Sequence, residues 1–403
     1  MAHERKRHIE QLFYKLIAFS PIVGVFGHRQ VGKSTFIANN VKEYRTLDDV
    51  DELEKSSNNP KKYIQSIDQT PLAIDECQME PKLFPTMKEW VRTHKKPGQF
   101  VLSGSVRFTS RKLIRESLAG RMSFLEMYPF SVSEIAQEPL SDVVVKLLDQ
   151  KVFSSDSFLA LNHGSKISTL KKHFELFLEN GGLPALCFVR NPKIQRNQLN
   201  ELHDLILGRD LGLVSDLKIS VSTVKRFLVH LGKNSFRPYN ASEVTRVLGL
   251  APQTQKKLLF ALESVFLIRR IPVPLRKKEV ILFEDQLEEK YYSDGALDRI
   301  RYLESAVYRN VRHQFGYRLD KSAQFEHYLT RDHARVPLVI RHESQCLGII
   351  VIEGELPTLS ETRQAASFLK NHSNAKILYL AAEAIKPKVI DERTLLCSIY
   401  SVI

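Results

Sequence analysis

The stretch Gly27-His28-Arg29-Gln30-Val31-Gly32-Lys33-Ser34 matches G-x-x-x-x-G-K-[ST] at every fixed position, and that spacing carries a chemistry. Gly27 and Gly32 let the backbone turn tightly, so that the N–H groups across His28, Arg29, Gln30 and Val31 make an inward-facing nest for phosphate oxygens. Lys33 reaches the β- and γ-phosphates of a nucleoside triphosphate, and the Ser34 hydroxyl is a ligand for Mg²⁺. Thr35 continues into a helix whose N-terminus adds its dipole to the same anion site. Downstream, Asp75-Glu76 closes the apolar run Pro71-Leu72-Ala73-Ile74. Asp75, at the strand's carboxyl end, holds the Mg²⁺ together with Ser34. Glu76, one residue on, orients and deprotonates an attacking water. A lone Asp-Glu at a strand end is commonplace; joined to the loop, it becomes the partner that the loop requires.

These groups need a strand before the loop, a helix after it and further strands alongside. Ile22, Val23, Val25 and Phe26 supply the first strand. The segment 42–49 reads as a second strand ending in acids, and Asn59-Pro60 breaks the chain before a helix over 61–67. Phe100-Val101-Leu102-Ser103-Gly104-Ser105 is another apolar strand, which in a parallel sheet brings Ser103 and Ser105 to the nucleotide crevice. There they sense the γ-phosphate or hold the water, or Ser105 simply caps a following helix; both readings stand. A helix over 113–118 closes at Ala119-Gly120, and Arg121 precedes a fifth strand over 122–127. Upstream, 8–19 carries Ile9, Leu12, Phe13, Leu16 and Ile17 on one helical face, suited to packing on the core.

Composition narrows the class. A chain of 403 residues suffices for roughly two to four domains with sizeable cores. No apolar run approaches the roughly 18 residues of a membrane span. The basic segment Met1 to His8 is not followed by a signal-type apolar core, so a cytoplasmic location without a membrane partner is expected. Cys77, Cys187, Cys346 and Cys397 lie far apart without C-x-x-C pairing, as reduced thiols do. Lys and Arg number 59 against 46 Asp and Glu, a net +13. This excess suits nucleic-acid or nucleotide contact and equally a solvated surface.

The set GHRQVGKS, LAIDECQ, FVLSGS and SLAGRMSFLEMYPFSVSEI resembles a large family of bacterial and archaeal AAA+ ATPases of the AAA-14 type, similar to archaeal ATPases grouped near the STAND NTPases. The motifs recur in order across almost the whole chain. The resemblance implies ATP as the nucleotide, Ser103 at the sensor-1 position and Arg121 as an arginine finger that completes a neighbouring subunit's site. Such an arginine stabilises transition-state charge and hints at assembly, although members of this kind also work as monomers; a cation at a helix end is also ordinary in itself. By residue logic alone, Asn180-Gly181-Gly182-Leu183-Pro184 stops the helix read over 170–178 and restarts the chain rigidly. It resembles the family's G-x-P lid motif, which implies that Pro184 lies near the adenine. After a helix over 194–207, Gly208-Arg209-Asp210-Leu211 matches the family's R-D-I/L segment, whose role the residues alone do not reveal. The Ser- and Asp-rich patch at 154–157 reads as a loop.

A helix over 222–231 leads to a capped helix over 240–248, a turn at Gly249 and a second helix over 252–262. This is helix-turn-helix spacing. Gln253, Thr254, Gln255, Lys256 and Lys257 open the would-be recognition helix, the end that reaches base edges. The strand Phe266 to Pro272 and its basic continuation Arg276-Lys277-Lys278 read as a wing suited to phosphate contact. Such a module serves equally to clamp nucleotide within the molecule.

The segment Glu289 to Gly295 matches the family's entry into its last domain, which resembles a PD-(D/E)xK nuclease. That chemistry requires clustered carboxylates for Mg²⁺ and a lysine. Here Glu304 and Glu353 remain, but Pro337 stands where the metal-binding aspartate belongs and Glu355 replaces the lysine. A catalytically silent domain is expected, with Pro337 confining its strand to an edge or a bulge.

The expectation is therefore an α/β protein: a P-loop NTPase core with a parallel sheet over 1–135, a helical lid over 136–218, a winged helix over 219–288 and a nuclease-like α/β domain over 289–403. Its nucleotide state would reposition the winged helix, in association with double-stranded DNA or, alternatively, as a switch that binds a protein partner.

Overall fold

Strand β1 (Ile22–Gly27) is buried along its entire length, which suits a run of aliphatic residues with both faces covered. With β2 (Glu43–Thr46), β3 (Leu72–Asp75), β4 (Phe100–Gly104) and β5 (Met122–Met127) it forms a sheet of order β2-β3-β4-β1-β5. Every pairing in it is parallel. The register sets Thr46 opposite Asp75, Val25 opposite Ser103 and Gly27 opposite Met127. All carboxyl ends therefore face one edge, where an open α/β sheet binds its ligand. One side of the sheet packs Ile22, Phe26, Ile74 and Leu102 against Phe84 and Met87 of helix Leu83–Thr93.

The computed structural model describes residues 5–107, 118, 120–162, 165–215, 217–296, 298–319 and 323–403. The expected helix over 113–118 and its Ala119 closure fall outside these residues, apart from Leu118. The chain forms two compact units, Met1–Pro129 with Leu183–Val221 and Lys256–Leu267, and Phe130–Gly182 with Ser222–Gln255 and Ile268–Ile403. Both are discontinuous, so they cut across the four segments read from the sequence.

In the first unit, the amphipathic segment 8–19 is helical over Glu10–Ile17, and the helix after the phosphate loop spans Lys33–Ala38. Helix Val50–Asn58, which the sequence reading omits, starts where Asp49 accepts the Glu52 N–H; helix Pro60–Gln65 follows with Asn59 as its cap. Beyond Pro184–Cys187 and Pro192–Leu205 the chain makes a π-helical turn over Ile206–Asp210.

The second unit holds the helix-turn-helix pair Ala241–Leu248 and Pro252–Ser264, the latter continuing into the first unit, and an antiparallel hairpin of β6 (Ile268–Val273) and β7 (Lys278–Phe283). Asn240 caps the first helix, and Gly249 at φ 69 turns the chain. The carboxyl-terminal part is a mixed sheet of β8 (Gln324–Leu329), β9 (Arg335–His342), β10 (Gln345–Ile352), β11 (Ala375–Ala381), β12 (Lys388–Asp391) and β13 (Thr394–Ser398), in the order β12-β13-β11-β10-β9-β8. Helix Leu359–Asn371 packs on it through Ala365 and Phe368.

One expectation is narrowed here and two change. β9 is an interior strand, and of the two places expected for Pro337 only the bulge is found: the β8–β9 register shifts between Glu326 and Tyr328. Glu353 and Glu355, which the sequence places within a strand over 348–355, lie beyond β10 in an exposed bend, because Gly354 ends the apolar run. The patch 154–157 is a 3₁₀ turn, since the Ser154 hydroxyl and Ser157 form a capping box. Among the described residues, no helix is long and apolar enough to cross a membrane.

Candidate nucleotide site

The phosphate loop bends at two positive-φ residues, Gln30 at 61° and Gly32 at 93°. Gly27 sits so close to β5 that a Cβ on it would lie 2.2 Å from the Met127 carbonyl oxygen; any side chain there would prise the strands apart. Arg7 locks the loop from outside, donating to the Val31 carbonyl at 2.7 Å and the Tyr128 carbonyl at 2.6 Å. Within the loop, Lys33 curls back and donates to the carbonyls of Gly27 (3.1 Å) and His28 (2.9 Å). Burial holds its pKa below the ordinary lysine value, against the opposing pull of Glu76 and Asp75. His28 and Val31 are buried, whereas Gln30, Ser34 and Thr35 are exposed at the open end of the site. Pro184 belongs to the same site: a Cβ on Gly32 would meet its Cγ at 3.7 Å.

At the carboxyl end of β3, Asp75 gathers hydroxyls. Ser103 Oγ donates to its Oδ1, and Tyr44 Oη donates to its Oδ2 at 2.6 Å. Burial alone would raise the Asp75 pKa, but these hydroxyls, that of Ser34 and the charge of Lys33 hold it below the usual carboxylate value. An ionised carboxylate beside the Ser34 hydroxyl is the hard oxygen set that Mg²⁺ takes, so the residues fit that ion.

Glu76 adopts φ 52°, left-handed and unusual for a residue with a side chain. The turn swings its carboxylate off the strand line, where Gln78 Nε2 donates to it and Arg29 Nη1 lies 3.7 Å away. Burial raises the Glu76 pKa, opposed by Lys33 and reinforced by Asp75. Arg29 is shared: its Nε also lies 3.4 Å from Asp210 Oδ2, which accepts the Ser105 hydroxyl at 3.3 Å.

The fold thus assembles Lys33, Ser34, Asp75, Glu76 and Ser103 at one edge. Tyr44, Gln78 and Asp210 are the residues that sequence reasoning missed. Gln78 lay in the quoted strand-end motif and Asp210 in the R-D segment, so a signal existed for both; a tyrosine in a short strand offers none. Arg121 stands at the start of β5, its N–H bonded to the Leu118 carbonyl at 3.0 Å.

The candidate nucleic-acid contacts divide. Gln253, Lys256, Lys277 and Lys278 are exposed and Thr254 half-buried. Gln255 is withdrawn from that set because it is 1% exposed. Its amide donates to the carbonyls of Ala241 and Leu250 and to Thr245 Oγ1, and accepts from Tyr239 Oη. It is the internal brace of the helix-turn-helix. Arg276 donates to the Thr330 carbonyl at 3.3 Å, which directs it toward the end of β8.

In the carboxyl-terminal sheet, Glu304 is buried and receives both Nη atoms of Arg335, one at 2.9 Å. A guanidinium therefore occupies the acid that the nuclease pattern assigns to a metal.

Residues 19–136 match a family model described as an AAA domain, AAA_14, which supports an AAA-type P-loop ATPase module in that segment. The uncharacterized proteins Rv2008c of Mycobacterium tuberculosis and Mb2031c of Mycobacterium bovis are each 22% identical over 200 residues, covering 50% of this chain and 37% of their own length. The match thus spans little more than a third of those relatives. Among solved structures, the Walker-type ATPase PABY2304 of Pyrococcus abyssi is similar at 12% identity and a TM-score of 0.39, over 72% of this chain and 95% of that one.

Proposed function

We propose that this chain binds ATP with Mg²⁺ at the loop Gly27–Ser34 and hydrolyses it. The observation that supports this best is the convergence of Lys33, Asp75, Glu76 and Ser103 at the carboxyl edge of one parallel sheet. Lys33 exchanges the loop carbonyls for the β- and γ-phosphates, and loop N–H groups hold the phosphate oxygens. Pro184 lies against the base. Ser34 and Asp75 would hold Mg²⁺, whose charge would neutralise the negative charge that develops on the terminal phosphoryl group. Glu76, oriented by Gln78, accepts a proton from the attacking water; Ser103 holds the γ-phosphate side of the site, and Arg121 serves a neighbouring subunit.

Hydrolysis sets the conformation of the helix-turn-helix, read as a winged helix, in association with double-stranded DNA. Exposed Lys256, Lys277 and Lys278 and the net charge of +13 support this reading. A protein-binding switch is the second reading, favoured by the inward turn of Gln255 and the tie of Arg276 to Thr330. The carboxyl-terminal sheet is nuclease-like but silent, because Arg335 neutralises Glu304 and Pro337 replaces an acid.

The test is ATP turnover with Mg²⁺, with and without duplex DNA, at two salt concentrations. K33A should abolish binding, and E76Q should bind ATP without turning it over. Stimulation by DNA that is lost at high salt identifies a DNA-dependent ATPase; tight binding with negligible turnover throughout identifies the switch. A K33A protein that binds and hydrolyses ATP like the wild type would remove the whole reading.

A further inference from the structure

The R-D segment has no role in the mechanism above, yet the fold brings it to the site. Residues Ile206–Asp210 form a π-turn between helices Pro192–Leu205 and Leu211–Val214, a local widening that recurs at functional sites. The turn aims two successive side chains. Arg209 Nη2 meets Asp48 Oδ1 at 2.8 Å, beside the end of β2, and Met79 Sδ at 3.4 Å. Asp210 is 1% exposed and turns the other way, its Oδ2 facing Arg29 Nε and Ser105 Oγ. Its Oδ1 has no hydrogen-bond partner among the described residues.

A carboxylate is costly to bury without a purpose for its charge. Here the charge acts on Arg29, a residue of the phosphate loop, which is at the same time 3.7 Å from Glu76. The guanidinium therefore has two claimants at different nitrogens, the residue that handles water at Nη1 and one that touches no reacting atom at Nε. Without Asp210, Glu76 would hold Arg29 unopposed. The pair would close on itself, taking the carboxylate away from water and the cation away from phosphate.

We propose that Asp210 is a positioning residue for hydrolysis: by competing with Glu76 for Arg29, it holds that guanidinium loosely enough for the γ-phosphate to take it when ATP enters the loop. Arg29 then adds charge to the γ-phosphate from within the same chain, and Glu76 is released to the water. This rests on the ATP hydrolysis proposed above. Most nucleotide affinity comes from the loop N–H groups and Lys33, and the Arg29 contact strengthens as charge develops on the γ-phosphate, so the effect of Asp210 falls mainly on kcat.

The experiment measures kcat and KM for MgATP in the full chain for wild type, D210N, D210E, R29Q and D210N/R29Q. D210N should lower kcat by about tenfold, in the range that coupled neighbours show, with KM within about twofold. In the R29Q background, adding D210N should change kcat by less than about twofold, because its intermediary is gone. D210E, which keeps the charge, should stay within about threefold of wild type, and it carries the test if D210N does not fold. An unchanged kcat in D210N, an equal loss of kcat in both backgrounds, a KM that moves as far as kcat, or a D210E loss as deep as that of R29Q overturns the proposal. Wild-type protein without ATP turnover removes the parent reading as well; wild-type turnover with independent D210N and R29Q effects removes this inference alone.

Discussion

Arg7 shows how much one side chain can decide at the residue scale. It lies outside the phosphate-loop motif, yet its guanidinium ties Val31 in the loop to Tyr128 just beyond β5. Hydrogen bonds from a charged donor are worth about 1.5–3 kcal/mol each, and their loss leaves buried carbonyls unsatisfied. R7A should therefore destabilise the first unit by about 3 kcal/mol or more, read as a lower urea midpoint at unchanged slope, with R7K in between. A midpoint equal to the wild type would show that the clamp does not hold the loop. Asp75 makes a related point, because its charge depends on hydroxyls from three different parts of the chain.

At the scale of elements, the β8–β9 bulge joins a proline to a histidine. Pro337 lacks an N–H, so the ladder breaks there, and its carbonyl is bonded to His327 Nδ1 at 3.0 Å. Because a carbonyl only accepts, Nδ1 carries a proton. Burial, with Arg335 adding to it, pushes the His327 pKa down to about 3 against the opposing Pro337 bond. The folded value lies below the unfolded value of 6.5. The stability from the neutral ring is thus complete above that pH and is lost progressively as pH falls toward the folded value. The slope is about 1.4 kcal/mol per pH unit for one proton. H327Q should flatten the fall in stability between pH 6 and about 4, measured by chemical unfolding across that range. An unchanged slope would mean that another group carries the acid sensitivity.

On the scale of the whole molecule, assembly and DNA contact are separable. If Arg121 completes a neighbour's site, mixing inactive K33A and R121A proteins should restore turnover, since some mixed interfaces then hold an intact lysine and an intact finger. Absence of recovery, with each variant folded, would assign Arg121 to its own chain or to structure. If the hairpin tip meets phosphates, K277E/K278E should weaken duplex binding and reduce the salt slope by about two, at roughly one per lost contact. Binding that keeps its slope would exclude those two lysines and favour the protein-partner reading.

The sequence alone determined whatever depends on local spacing. Gly27, Gly32, Lys33 and Ser34 stand within one turn of chain, and an apolar run ending in Asp75-Glu76 reads as a strand whoever its neighbours are. The five strands of the first sheet were legible for the same reason. Tertiary structure decided everything that depends on which end of one element meets which side of another. Gln255 reads as a polar face residue, but its bonds to Ala241, Thr245 and Leu250 turn it inward. Asp210 lies far from Arg29 along the chain and Tyr44 far from Asp75, and only a π-turn and parallel strand register bring each pair together. Pro337 announced a broken ladder, but whether that break falls at an edge or inside the sheet is set by β8, which covers it. Spacing is written in the chain; the meeting of distant charges is a property of the packed molecule, where burial makes each pairing matter.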